Sequence, residues 1–90
     1  MAEIKVLAIN AHTYQVTVIG QSTTIHQVNV QAEYALKLTA GKISTAQLVH
    51  NSFEFLLARE ANTSILRNFD LSVIARYFAD YEHSQITQSS

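Results

Sequence analysis

With no cysteine in the chain, chemistry would fall to four histidines, seven carboxylates and the hydroxyls. A transition-metal site needs ligands at close periodic spacing, such as two imidazoles at i and i+4 on a helix. His12, His26, His50 and His83 fall on separate elements, and none has a second histidine within such a spacing. His50 and Glu54 share a helical face, but a single pair of this kind is common by chance, so no metal is expected. Nucleophilic catalysis has no better footing, because no serine stands in a Gly-x-Ser-x-Gly elbow. Gly20 and Gly41, the two glycines, are too far apart to form a phosphate-cradling loop. Among the carboxylates, Asp80 and Glu82 sit near a polar end, Asp70 reads as a helix cap, and Glu54 and Glu60 face different ways on one helix. No catalytic residue and no cofactor is assigned. An enzyme completed at a dimer interface is the residual reading.

Recognition has more to work with. Tyr77 and Tyr81, at i and i+4, share a face of any helix that spans both, beside Arg76 and Glu82. Tyrosine and arginine concentrate at binding hot spots because each joins a large contact area to a polar handle. With Arg67 they form the candidate surface for a protein partner, the plainer alternative being that the rings close the lower edge of the core. Arg59, Arg67 and Arg76 also suggest a loose basic strip, interrupted by Glu60, Asp70 and Asp80. The second functional reading is therefore a nucleic-acid-associated regulator of the antitoxin sort. Residues 65–78 (ILRNFDLSVIARYF) have the outline of the second half of a helix-turn-helix. Asp70 would then occupy the turn position that favours glycine, and Arg76 a position that packing requires to be apolar. The match fails at the packing positions.

Composition sets the outer limits. Net charge is −1 and charged residues are 14% of the chain, with no block of like charge to steer nucleic acid or an anionic membrane. A hydrophobic fraction of 48% suits a packed globule, and pairing of two copies would bury more. The absence of cysteine fits a reducing cytoplasm, and MAEIKVLAIN has neither a signal peptide's pattern nor a membrane span's. We expect one domain over residues 1–82 and a polar, disordered tail over 83–90.

The elements that must position these residues follow from periodicity. Residues 3–10, 13–19 and 24–30 alternate as strands, with Ile4, Val6 and Ala8, then Tyr14, Val16 and Val18, then His26, Val28 and Val30 on single faces. Turns at Asn10–His12 and Gly20–Ser22 make them an antiparallel meander. A short helix is predicted over 31–39 with Gly41 as its left-handed stop. A second is predicted from a capping box at Ser44 and Gln47, with Ile43 and Leu48 at staple spacing, running to about Glu60. A third is predicted over 71–79, capped by Asp70, after a connector at 63–68 that is either a helical turn or extended. The fold class is α+β: a three-stranded antiparallel meander packed by two to three C-terminal helices.

Residues 62–82 (NTSILRNFDLSVIARYFADYE), with the preceding SFEFLLARE, resemble the C-terminal block of a family of small bacterial proteins. The likeness is strong over residues 52–82 and weak elsewhere. Members of that family often carry proline at the positions of Ala61 and Ala79 here. The family has no assigned activity, so the resemblance implies a bacterial, cytoplasmic, single-domain protein and no site residues.

Overall fold

The structure, a computed structural model, describes residues 3–89, with side chains as far as Thr87. Met1, Ala2 and Ser90, which the expected domain and tail also take in, lie outside the described residues. The three predicted strands form: β1 (Glu3–Ala8), β2 (Thr13–Ile19) and β3 (Thr24–Asn29), antiparallel, with Val6 opposite Val16 and Val16 opposite His26. On β2 and β3 every second residue is buried, as a sheet covered on one face requires. Leu7, Ile9 and Ile25 lie on the uncovered face and are exposed.

The sheet has four strands, not three. Asn68–Asp70 forms β4, which pairs with β3 in parallel through Gln27↔Asn68, Val28↔Phe69 and Asn29↔Asp70. The order is β1-β2-β3-β4, so the described sheet is mixed and ends on β4. Three residues show too little alternation for a strand to be read from sequence, and only the pairing with β3 defines it.

Helix α1 spans Ala32–Thr39 and buries Ala35 and Leu38. Its left-handed cap is Ala40, at φ 52°, with Gly41 also positive at φ 74°. The predicted glycine stop is thus displaced by one residue, and an alanine carries the strained position. Helix α2 spans Thr45–Leu57, shorter than the predicted end at Glu60. Ser44 Oγ accepts from the Gln47 N–H at 3.0 Å, but the Gln47 side chain reaches Asn51 Oδ1 at 2.9 Å, so the capping box is closed from one side only. Leu48, Val49, Asn51, Ser52, Phe53, Phe55 and Leu56 are buried, and Leu57 is half-buried.

Beyond α2, a 3₁₀ turn at Asn62–Ser64 leads into β4. Asp70 then caps a second 3₁₀ turn, Leu71–Val73, accepting from the Ser72 N–H at 3.0 Å. Helix α3 is one turn, Ile74–Tyr77, because Phe78 leaves helical geometry at φ −130°, ψ 102°. The predicted continuous helix over 71–79 is thereby divided. The chain re-enters a helix at Tyr81, and α4 (Tyr81–Ser89) occupies the segment expected to be a disordered tail. Its composition is polar, yet Tyr81 and Gln85, one turn apart, are both fully buried against the domain. Residues four apart lie on one helical face, so these two side chains dock that face of α4 on the domain. No helix among the described residues is long and apolar enough to cross a membrane.

Candidate functional site

The two tyrosines of the predicted face part company. Tyr77, the last residue of α3, is 71% exposed, whereas Tyr81, the first of α4, is 0% exposed. The extended Phe78 between them rotates the chain, so they do not share a helix. Tyr81 belongs to the core, where its ring meets Phe55 edge-on at 5.3 Å and its hydroxyl lies 2.6 Å from Ser52 Oγ. Burial pushes the Tyr81 hydroxyl pKa well above its usual range.

Tyr77 stands instead at the rim of an apolar cleft of about 430 Å³. One wall is the C-terminal turn of α2, with Leu56 and, just beyond, Glu60. The facing wall is α3 and its lead-in, with Val73, Ile74, Tyr77 and Phe78, and the connector closes the end with Ser64, Ile65 and Leu66. Phe69 of β4 forms part of the lining. Leu66 is 50% exposed, so with Tyr77 it presents a large apolar side chain at the opening. The lining residues with polar side chains are Glu60, Ser64 and Tyr77, and no histidine is among them.

A hydrogen-bond chain that is buried at His26 and reaches the surface at Asn62 holds the connector in place. His26, fully buried on β3, meets the Leu66 carbonyl through Nδ1 at 2.7 Å and Thr24 Oγ1 through Nε2 at 2.8 Å. A carbonyl only accepts, so Nδ1 carries the proton and Nε2 accepts from the Thr24 hydroxyl. Asn62 Nδ2 in turn donates to Thr24 Oγ1 at 3.0 Å and to the Ser22 carbonyl at 2.8 Å. Both His26 ring nitrogens and Thr24 Oγ1 are thereby engaged, and the two ends of the chain hold the connector at Asn62 and Leu66. Burial lowers the His26 pKa, the hydrogen bond to Leu66 opposes this, and the Arg67 charge adds to the lowering. The imidazole, with both nitrogens engaged and its ring 5.3 Å from that of Phe53, is a structural tie. Among the described residues no group of three or more His, Asp or Glu is placed to hold a metal ion.

The three arginines have unlike surroundings. Arg59 donates to the Phe55 carbonyl and to Asp80 Oδ2, both at 3.0 Å, and its guanidinium sits 3.6 Å from the centre of the Phe55 ring. It is engaged within the domain rather than held out to a ligand. Arg67 and Arg76 are exposed and, among the described residues, have no carboxylate partner. They adjoin the lining residues Leu66 and Tyr77 in sequence and are not themselves on the lining.

Of the sequence-predicted residues, Tyr77 lines the site, Arg67 and Arg76 adjoin lining residues, and Tyr81 lies beneath in the core. No sequence pattern marks Leu66, Phe69, Val73 or Glu60 as site residues. The one signal in the sequence is the apolar pair Ile65-Leu66 inside a short connector, where a loop would ordinarily be polar. Comparison of the chain with protein-family models, with curated proteins and with solved structures finds no match, so the reading of this site rests on its geometry.

Proposed function

We propose that this domain is a non-enzymatic interaction module that receives apolar side chains of a protein partner in the cleft between α2 and α3. The observation that carries the reading is the pairing of exposed Leu66 and Tyr77 at the mouth of an apolar cavity. Burying one Leu- or Phe-sized side chain in such a cavity is worth about 1.5–3 kcal/mol, enough for a few anchors to hold a partner. The polar groups at the cleft are sparse, whereas a catalytic pocket converges several on one point. The cysteine-free composition supports a cytoplasmic setting.

The test is differential capture. Tagged protein is used as bait beside Leu66→Glu and Tyr77→Ala variants, with Lys42→Glu, exposed between α1 and α2 and away from both the cleft and the sheet, as control. A partner held by the native chain and the control but lost from both cleft variants is the expected result. Equal capture by all four proteins refutes the reading.

A homodimer is supported by a different surface. Leu7, Ile9 and Ile25 stand exposed on the uncovered face of the sheet, and β1 is one of its two edges. Sedimentation equilibrium of the native chain against an Ile25→Lys variant measures it directly.

A further inference from the structure

The cleft opens beside the free edge of β4, and that adjacency specifies the form of the ligand. Strand β4 ends the sheet and carries Phe69 on the cleft lining. The Gln27 N–H donates to the Arg67 carbonyl at 2.8 Å. In a parallel ladder the groups that face one neighbour alternate, so the N–H and C=O of Phe69 also turn toward β3. The N–H and C=O of Asn68, and the N–H of Asp70, are therefore directed away from the sheet. A strand laid along that edge would meet these groups and send every second side chain to the side on which Phe69 lies.

Charge supplies the second constraint. Glu60 is the one charged residue on the cleft lining, and it also borders the neighbouring groove that runs past Gly20, Gln21 and Asn62. It is half-buried, and among the described residues its carboxylate has no cationic partner. A ligand that fills the apolar cavity and carries a positive charge beside Glu60 complements both features. A ligand with an acidic group there would meet repulsion in a partly desolvated site.

Resting on the reading of the cleft as a partner-binding site, we infer that the partner contributes an extended segment. It adds a strand to β4, seats a Leu-, Ile- or Phe-sized side chain in the cleft, and places Lys or Arg two residues along, beside Glu60. Strand addition draws affinity from main-chain hydrogen bonds and specificity from pockets for alternate side chains, which are the two things this edge offers. With only three outward backbone groups the complex is a transient one.

The experiment selects from a displayed library of random heptapeptides against the intact 90-residue chain. Enriched sequences are then synthesised with a fluorescent label and titrated by anisotropy. The expected result is a motif of a large apolar residue followed at the second position by Lys or Arg. Glu60→Lys, on a side chain that contributes little to the core, should weaken such a peptide about fivefold, and a peptide with Glu in place of its base should recover the loss. N-methylation at alternate backbone nitrogens should abolish binding, while methylation at the intervening ones should not. Enriched sequences with apolar residues at i, i+3 and i+4 that tolerate N-methylation would mean a helix in the groove and overturn the inference. Absence of any enriched peptide overturns it as well, leaving a second copy or a small apolar molecule as the occupant. If peptides fail while differential capture at Leu66 and Tyr77 succeeds, the extended-segment inference falls alone. If capture is unchanged by the cleft variants, both fall.

Discussion

Removing Ser52 should cost this domain more than removing the tyrosine hydroxyl it serves, and removing both should cost less than the sum. Ser52 Oγ lies 2.7 Å from the Leu48 carbonyl and 2.6 Å from the Tyr81 hydroxyl. Because the carbonyl only accepts, Ser52 donates to Leu48 and Tyr81 donates to Ser52. Tyr81→Phe removes one buried hydrogen bond and leaves Ser52 still bonded to Leu48, a loss of about 0.5–1.5 kcal/mol. Ser52→Ala leaves the Tyr81 hydroxyl buried without a partner, which costs about 1–3 kcal/mol. In the double variant neither substituted side chain carries a polar group to strand, so its stability should return to near that of Tyr81→Phe. The coupling is therefore about 1–3 kcal/mol in the sense of recovery. For a domain of this size each kcal/mol moves the thermal midpoint by roughly 4–8 °C, well within reach of circular dichroism at 222 nm. Urea titrations of the four proteins give the same cycle independently. A double variant whose loss equals the sum of the single losses would refute the relay. So would a Ser52→Ala protein as stable as the native chain. The outcome bears on α4 as a whole, since Tyr81 is one of the two residues that anchor it.

Three further outcomes follow from the same reasoning. Ala40, held at φ 52°, should be relieved by Ala40→Gly, raising stability by about 0.5–1 kcal/mol in urea unfolding despite glycine's greater freedom in the unfolded chain. The His26 pKa is lowered in the fold from its ordinary value of 6.5, so the unfolded chain binds the proton more readily. Its contribution is therefore fully present above pH about 6.5 and declines as the pH falls from there toward the folded pKa. ¹⁵N imidazole shifts should report an Nδ1–H tautomer with a midpoint below 6.5, and an ordinary midpoint would remove the buried tie from the account of the connector. Finally, the buried amide of Gln85 has no partner among the described residues for either its oxygen or its nitrogen. Gln85→Met, close in shape and without the amide, should stabilise by about 1 kcal/mol, read as a raised thermal midpoint.

Local pattern made the meander and the start of α2 legible, because period-two alternation and the Ser44 cap are set by neighbours in the chain. The same locality explains the failures. A helix written across 71–79 has every expected apolar position, and Leu71 and Ile74 are indeed buried. At the break, Phe78 sets its ring against that of Phe55, 5.8 Å away on α2. The tail beyond His83 reads as polar because eight residues of HSQITQSS include one large aliphatic side chain. Its docking depends on Tyr81 and Gln85 finding space among α1 and α2, and Glu82 adds hydrogen bonds from Tyr34 at 2.8 Å and Lys37 at 3.2 Å. Glu82 and Tyr34 are 48 positions apart, a separation no local pattern encodes.

What the sequence alone determined is therefore the scaffold: strands whose faces are marked by alternation, a capped amphipathic helix, and the absence of any local motif for metal, phosphate or nucleophile chemistry. It also directed attention to the segment after Asn62, and Tyr77 there does line the cleft. Only the tertiary structure decided that Tyr81 is core and Tyr77 is surface, that Asn68–Asp70 is a strand, and that Leu66 and Glu60 share one cavity with Tyr77. The physical reason is the range of the forces that settle each question. Alternation and capping act between residues a few positions apart, whereas a cleft is bounded by side chains that meet only after the chain has closed on itself.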